Sequence, residues 1–422
     1  MKKAKLNLRQ RLLAPITNTR GVAMMMALFV MMILTFLATE VAFRTGIENN
    51  IAVQGISRLR AYYAAKAGLE LSLFRILLYK KAMASFGEQL GENKSMLDPI
   101  WQFPFVWPPV LPDEISGVDK SQIQAAVKES KMDASYAVTI ESEGGKIDIN
   151  DLGSDSEALV KATKDQILQI FQVEVENNEQ FAEKYGTFNF EDLVHHMIDW
   201  VDENSESLVG GDERNYYQDV RSEFIPPNAP FKTLNELHMV AEMTDDLYQV
   251  LARQVTVYGS KGVNVNYSDK HVLKSLDVQM TDEVVTKVIE RRSSPQEGGP
   301  FRNYDDFLDF LGTQGVRTDS FNPAGIPLVF DAELNFRIKS VGSYGRVTRE
   351  IEVVTYDFDN IKERYIDILT KAEEEKKGEG GGDPGTANKG DGKSDDKGKT
   401  TPTAKKLNAP KGRPTVVYWY EN

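Results

Sequence analysis

Cysteine is absent from the 422 residues, so the chain has neither a disulfide framework nor thiolate chemistry. That absence does not identify the compartment, because many periplasmic proteins also lack cysteine. Histidine is scarce at four residues, and the adjacent His195 and His196 would point about 100° apart on a helix, which makes them poor co-ligands. His238 and His271 have no neighbouring histidine to complete a zinc set. Positive charge is outnumbered: 50 Lys and Arg against 63 Asp and Glu give a net charge of −13, the opposite of the basic face that nucleic acid requires. No Ser/His/Asp order, Walker loop or GxGxxG stands out, so no residue set proposes an enzyme.

Long uncharged runs are also missing, with one exception. Val22 to Thr39 carries no charge and Glu40 closes it. As a helix this run spans ~27 Å, against a bilayer core of ~30 Å. Lys2, Lys3, Lys5, Arg9, Arg11 and Arg20 precede it without an acid, which places the leader on the cytoplasmic side and the remainder outside. Two readings of the run compete, a cleaved signal and a retained anchor. The helical pattern continues past Glu40: Ala38, Val41, Ala42, Ile47, Ile51, Ile56, Leu59, Tyr63, Ala67 and Leu71 recur at three-and-four spacing without an intervening proline. That favours an anchor leading into one helix of about 55 residues.

Further on, the proline- and aromatic-rich stretch 98–114 excludes regular helix or central strand, leaving an ordered loop on the stalk or an aromatic contact surface. Tyr136, Val138 and Ile140 alternate with polar residues as in a strand, and alternation returns at 332–345 and 346–358. The helical block between them is too long for a loop and is expected to be an inserted domain. Its two halves, beginning "GGKIDIN" and "KGVNVN", repeat an order of features resembling tandem helix-hairpin-helix units. The expected fold is α+β: a long N-terminal α-helix on an antiparallel sheet, with an inserted α-helical domain. Expected boundaries are a leader at 1–21, a transmembrane segment at 22–42, and stalk, loop and first strands at 43–150. The inserted domain follows at 151–325, sheet strands at 326–370, a disordered Gly/Lys-rich linker at 371–413, and at 414–422 a C-terminal strand that pairs with the sheet through that long tether, with a free sticky tail as the alternative.

The densest oxygen-ligand cluster lies in "MIDWVDENSESLVGGDERNYYQ". Asp202, Asn204 and Glu206 alternate like the first ligands of a calcium loop, Gly210-Gly211 permits a sharp turn, and Asp212 and Glu213 return carboxylates. Asp199 joins if the helix ends at Trp200. The spacing is not that of an EF-hand, and a solvated acidic loop is the competing reading.

A basic leader ending in Gly21, followed by an apolar helix that becomes a stalk, resembles type IV prepilins and type II secretion pseudopilins. The resemblance implies cleavage by prepilin peptidase between Gly21 and Val22, with the helix retained. Most such proteins carry Glu at the fifth mature position; here it is Met26. An unpaired carboxylate in the membrane costs ~2.5–3.5 kcal/mol, so its loss suits a subunit with no neighbour ahead. That departure, with the large insertion, resembles the minor pseudopilin K family. The pattern Trp200, Asp202, Ser205, Glu206, Gly210, Gly211, Glu213, Tyr216 and Tyr217 resembles that family's calcium loop. The resemblance implies a filament tip cap that nucleates assembly for export of folded proteins, and calcium as cofactor. It further implies an inner-membrane anchor with the bulk in the periplasm. The implied partners are other minor pseudopilins and the major pseudopilin, with no nucleic acid. A membrane-anchored DNA-binding protein of a competence pilus is the alternative.

Overall fold

The computed structural model describes residues 19–110, 117–217, 226–318, 327–379 and 407–422. Helix α1, Thr19–Leu90, is longer than the periodicity indicates, at 72 residues. Gly46 and Gly55 leave it unbroken because nothing crowds them and no proline interrupts the hydrogen-bond ladder. Residues 1–18 of the expected leader lie outside the described residues.

α1 changes character along its length. From Val22 to Leu59 its apolar side chains are exposed, and this stretch is long and apolar enough to cross a membrane. It fits a single-pass anchor. From Ala61 onward one face is buried: Ala61, Ala64, Ala65, Leu69, Leu73, Ile76 and Tyr79 are each at most 1% exposed. The three-and-four spacing makes one stripe, and the small residues in it let the sheet approach closely. A Cβ on Gly342 would lie 2.0 Å from the Ala61 carbonyl oxygen, and one on Gly68 would lie 2.7 Å from the Tyr136 and Val138 side chains. Glycine is required at both positions by that approach.

The sheet is antiparallel with the order β1-β2-β7-β8-β9. Its strands are β1 Phe105–Trp107, β2 Ser135–Ser142, β7 Phe336–Tyr344, β8 Val347–Thr355 and β9 Val416–Glu421. Alternation puts Tyr136, Val138, Phe336, Ile338, Ile351 and Val353 against α1. The proline-rich stretch packs on the stalk. Trp101 is buried there, and Arg75 donates to the carbonyls of Ile100, Trp101 and Phe103. Residues 358–370, expected among the strands, are helical instead. α10, Phe358–Glu379, also takes the first residues of the expected linker. Its alternation ends at Thr355, and Asp357 caps the new helix by accepting from the Asn360 amide. Residues 380–406 lie outside the described residues.

Between β2 and β7 the chain leaves the sheet and builds a second core. α2, Gly117–Glu129, lies between β1 and β2, and the helices of the second core are α3 Glu157–Asn177, α4 Glu179–Tyr185, α5 Phe190–Val201, α6 Asp245–Leu251, α7 Lys270–Lys274, α8 Asp282–Ser293 and α9 Tyr304–Thr313. The two sequence halves adopt the same local arrangement. Short parallel pairs join β3 Ile147–Asp148 to β4 Val255–Thr256 in one and β5 Val263–Asn264 to β6 Leu328–Val329 in the other. In the first half the Asn150 amide donates to the Phe231 and Val257 carbonyls and accepts from Phe231 N–H. In the second, Asn266 donates to Phe301 and Phe330 and accepts from Phe301 N–H. A planar group covers each phenyl ring: Trp200 stacks on Phe231 at 5.5 Å, and the Arg291 guanidinium sits 4.3 Å from Phe301. The resemblance between the halves is therefore structural, down to individual hydrogen bonds.

Candidate metal centre

α5 positions the candidate site. Asn189 caps it by accepting from Glu191 N–H at 3.1 Å. Leu193, Val194, Met197 and Val201 bury its inner face. Asp199 lies on the same buried side, one turn after His196. The helix ends at Val201, and Asp202 N–H closes the last turn onto the Ile198 carbonyl.

The following loop folds back on itself. Gly210 and Gly211 adopt φ of +119° and +84°, which a side chain would strain. Ser207 N–H donates to Gly211 O at 2.9 Å, and Glu206 bridges to Asp212. This hairpin returns Glu213 to the helix end. One carboxylate oxygen each from Asp199, Asp202 and Glu213 then lie within 4.8 Å of one another. Asp202 Oδ1 and Glu213 Oε1 are buried and have no hydrogen-bond partner among the described residues. Two inward-facing unpaired oxygens beside a third carboxylate form a donor set of hard oxygens, the kind calcium takes. The residues present fit that ion.

The electrostatics follow from the crowding. Burial, then the charges of Asp202, Asp199 and Asp212, push the Glu213 carboxyl up to about 7. Burial and Asp199 also raise Asp202. Asp199 moves the other way. Burial is its largest single influence and opposes ionisation, but it is outweighed by hydrogen bonds from His196, Ser207 Oγ and Leu208 N–H. Asp199 is thus a fixed anion that discourages its two neighbours from ionising together.

Of the candidate ligands, the structure gathers Asp202 and Glu213 with Asp199. Asn204 stays outside the cluster: its amide donates to Asp202 Oδ2 at 2.8 Å and its oxygen accepts from Glu206 N–H at 2.7 Å, which sets the loop's shape. The Glu206 side chain is exposed and does not enter. Asp212 is also diverted. It accepts from Arg214 N–H at 2.9 Å and pairs with the Arg214 guanidinium. An arginine two residues away was the sequence signal for that competition. Asp199 was legible only through the helix end, because it approaches from the preceding turn and not from the loop. The histidines separate as adjacent helical positions must. His195 meets Lys164 at 2.9 Å, whereas His196 is buried against the Tyr216 ring at 4.6 Å. Tyr216 also donates to the Gly210 carbonyl, tying the hairpin down.

Fold and site together define a class: a pilin-like α+β fold with one N-terminal helix long and apolar enough to cross a membrane and an inserted helical domain that carries a carboxylate cluster. Residues 145–260, which contain this cluster, match the family described as type II secretion system (T2SS), protein K. That match makes this stretch, about a quarter of the chain, similar to that family. The chain is also similar to a chain in the crystal structure of the GspK-GspI-GspJ complex from the enterotoxigenic Escherichia coli type 2 secretion system. The two are 16% identical, with 73% of this chain and 94% of that one covered and a TM-score of 0.46. No curated protein matches the chain.

Proposed function

We propose that this chain is a minor pseudopilin that caps the tip of a type II secretion pseudopilus and nucleates its assembly. Prepilin peptidase cleaves between Gly21 and Val22, and the helix from Val22 to about Ala42 stays in the inner membrane. The remainder lies in the periplasm. Other minor pseudopilins pack on the stalk, and the major pseudopilin continues the filament below. The role is assembly and not catalysis. Asp199, Asp202 and Glu213 would hold calcium, which neutralises their repulsion and stiffens the hairpin 202–217. The helix-hairpin-helix-like units serve as structure: their caps at Thr233 with Glu236 and Asn303 with Asp306 carry acids where a phosphate would need cations.

The observation that carries the reading is Met26. Met26 is 67% exposed on α1 and carries no carboxylate where the resemblance places one. The test uses the absence of cysteine, since single introduced cysteines crosslink without background. In assembled filaments, Ile56→Cys and Phe74→Cys on the stalk should crosslink to other pseudopilins. A cysteine at Val278, 75% exposed on the inserted domain, should crosslink to no subunit stacked beyond it. A ladder of filament subunits from Val278→Cys would overturn the tip assignment, and a mature N-terminus other than Val22 would overturn the processing step.

A further inference from the structure

The last strand of the sheet is delivered by a remote part of the chain. α10 ends at Glu379, and the next described residue is Leu407. Asn408 then returns to the first turns of α10. Its N–H donates to Asn360 Oδ1 at 2.9 Å, its carbonyl accepts from Asn360 Nδ2 at 3.4 Å, and its side chain donates to Glu363. From Asn360 to Glu379 the helix advances ~28 Å, whereas residues 380–406 reach ~90 Å when fully extended. That length does not by itself fix where Leu407–Asn422 lies, so the segment is held in place by its own contacts.

Those contacts are specific along its length. Arg413 pairs with Glu70 of α1 at 2.9 Å, and Glu421 accepts from the Tyr62 hydroxyl at 3.3 Å. Glu350 and Asn422 exchange reciprocal backbone bonds of 3.0 Å each. In an antiparallel ladder this makes Glu352–Tyr420 and Val354–Tyr418 the next bonded pairs, so the N–H groups of Tyr420 and Tyr418 point into β8. Trp419 and Glu421 face the α1 side opposite Val353 and Ile351, and Tyr418 faces outward against the Tyr258 ring at 6.1 Å. The receiving edge is built independently of its occupant, because β8 pairs along its whole length with β7. The occupant itself is only partly covered: Trp419 is 41% exposed and Tyr420 47%.

We propose that the β8 edge, with Glu70 of α1 and Asn360 of α10, is a peptide-binding site. Its ligand class is an extended segment with an asparagine, then an arginine, then a β-branched run followed by aromatics, as in Asn408, Arg413, Thr415–Val417 and Tyr418–Tyr420. The chain's own Leu407–Asn422 occupies it as an exchangeable intramolecular ligand. A tether of that length supplies such a ligand at ~mM effective concentration, so occupancy is high while release stays open.

The test is made on the full-length chain in detergent, with a specific protease site placed within residues 380–406. A fluorescent peptide of residues 405–422 is added before and after cleavage, and its anisotropy is followed. After cleavage the peptide should displace the native fragment and bind with a micromolar Kd. The uncut protein should bind it about 100-fold more weakly, as competition from ~1 mM tethered ligand requires at a Kd of ~10 μM. Peptides carrying Tyr418→Pro or Tyr420→Pro lose a ladder donor and should not bind. The proposal fails if cut and uncut protein bind alike, if the proline peptides bind as well as the native one, or if the native fragment never exchanges. It also fails if release of the fragment unfolds the sheet by circular dichroism, because the slot would then not be preformed.

Discussion

Glu213→Gln should stabilise the metal-free protein and, in the same molecule, abolish most of the response to calcium. The three inward-facing oxygens lie within 4.8 Å of one another. At that distance two unit charges repel by ~3.5 kcal/mol at an effective dielectric constant of about 20, and by ~0.9 kcal/mol at 80. The upward displacement of Glu213 from 4.5 to about 7 corresponds to a ceiling of ~3.4 kcal/mol. Solvent at the rim of the hairpin reduces this to ~1–2 kcal/mol. The sign follows from proton binding. Between 4.5 and about 7 the folded protein holds a proton that the unfolded chain releases. The metal-free wild type is therefore spared the penalty below 4.5 and bears all of it above 7, losing stability as pH rises through that window. The glutamine variant has no proton to lose there and should keep its stability, melting ~2–8 °C above the wild type at pH 8. Calcium at 100 times its Kd should add ~2.7 kcal/mol to the wild type and less than half of that to the variant. Calorimetry of the detergent-purified chain at pH 5, 7 and 8, with chelator or with calcium, measures all four quantities. A variant that melts below the wild type without metal at pH 8, or an equal calcium shift in both proteins, would refute the electrostatic argument.

Three further substitutions probe the scaffold. Gly342→Ala sets a methyl against the backbone of Ala61 and Ala65 and should destabilise the stalk–sheet core by ~3 kcal/mol, the upper end of overpacking costs; denaturant midpoints check this, and an unchanged midpoint would show that the helix can move off the sheet. Asn150→Ala and Asn266→Ala each remove an amide that makes three hydrogen bonds within its half of the inserted domain. Each should cost ~1–3 kcal/mol, with similar values for the pair if the two halves are equivalent; a loss at one position only would show that the halves carry unequal loads.

The sequence by itself determined whatever depends on local pattern and solvent. One uncharged run after a basic leader defines the anchor, because charge in a bilayer is costly wherever the chain goes next. Alternation at Tyr136–Ile140 and at 336–355 defines strands, since the period of two follows from the backbone alone. The paired "KIDIN" and "GVNVN" stretches disclosed a duplication before any contact was known. Tertiary structure decided the rest, where partners come from distant residues. Asp199 joins the carboxylate cluster because a hairpin carries Glu213 back to the end of α5, and Asp212 is excluded because Arg214 reaches it first. Nothing local marks Gly342 as indispensable; the need arises from a helix some 280 residues earlier in the chain that rests against it. That the final strand joins the sheet was legible from its β-prone residues, but its mate was not, since β8 is chosen by the open edge, the Glu70 carboxylate and the Asn360 amide assembled around it.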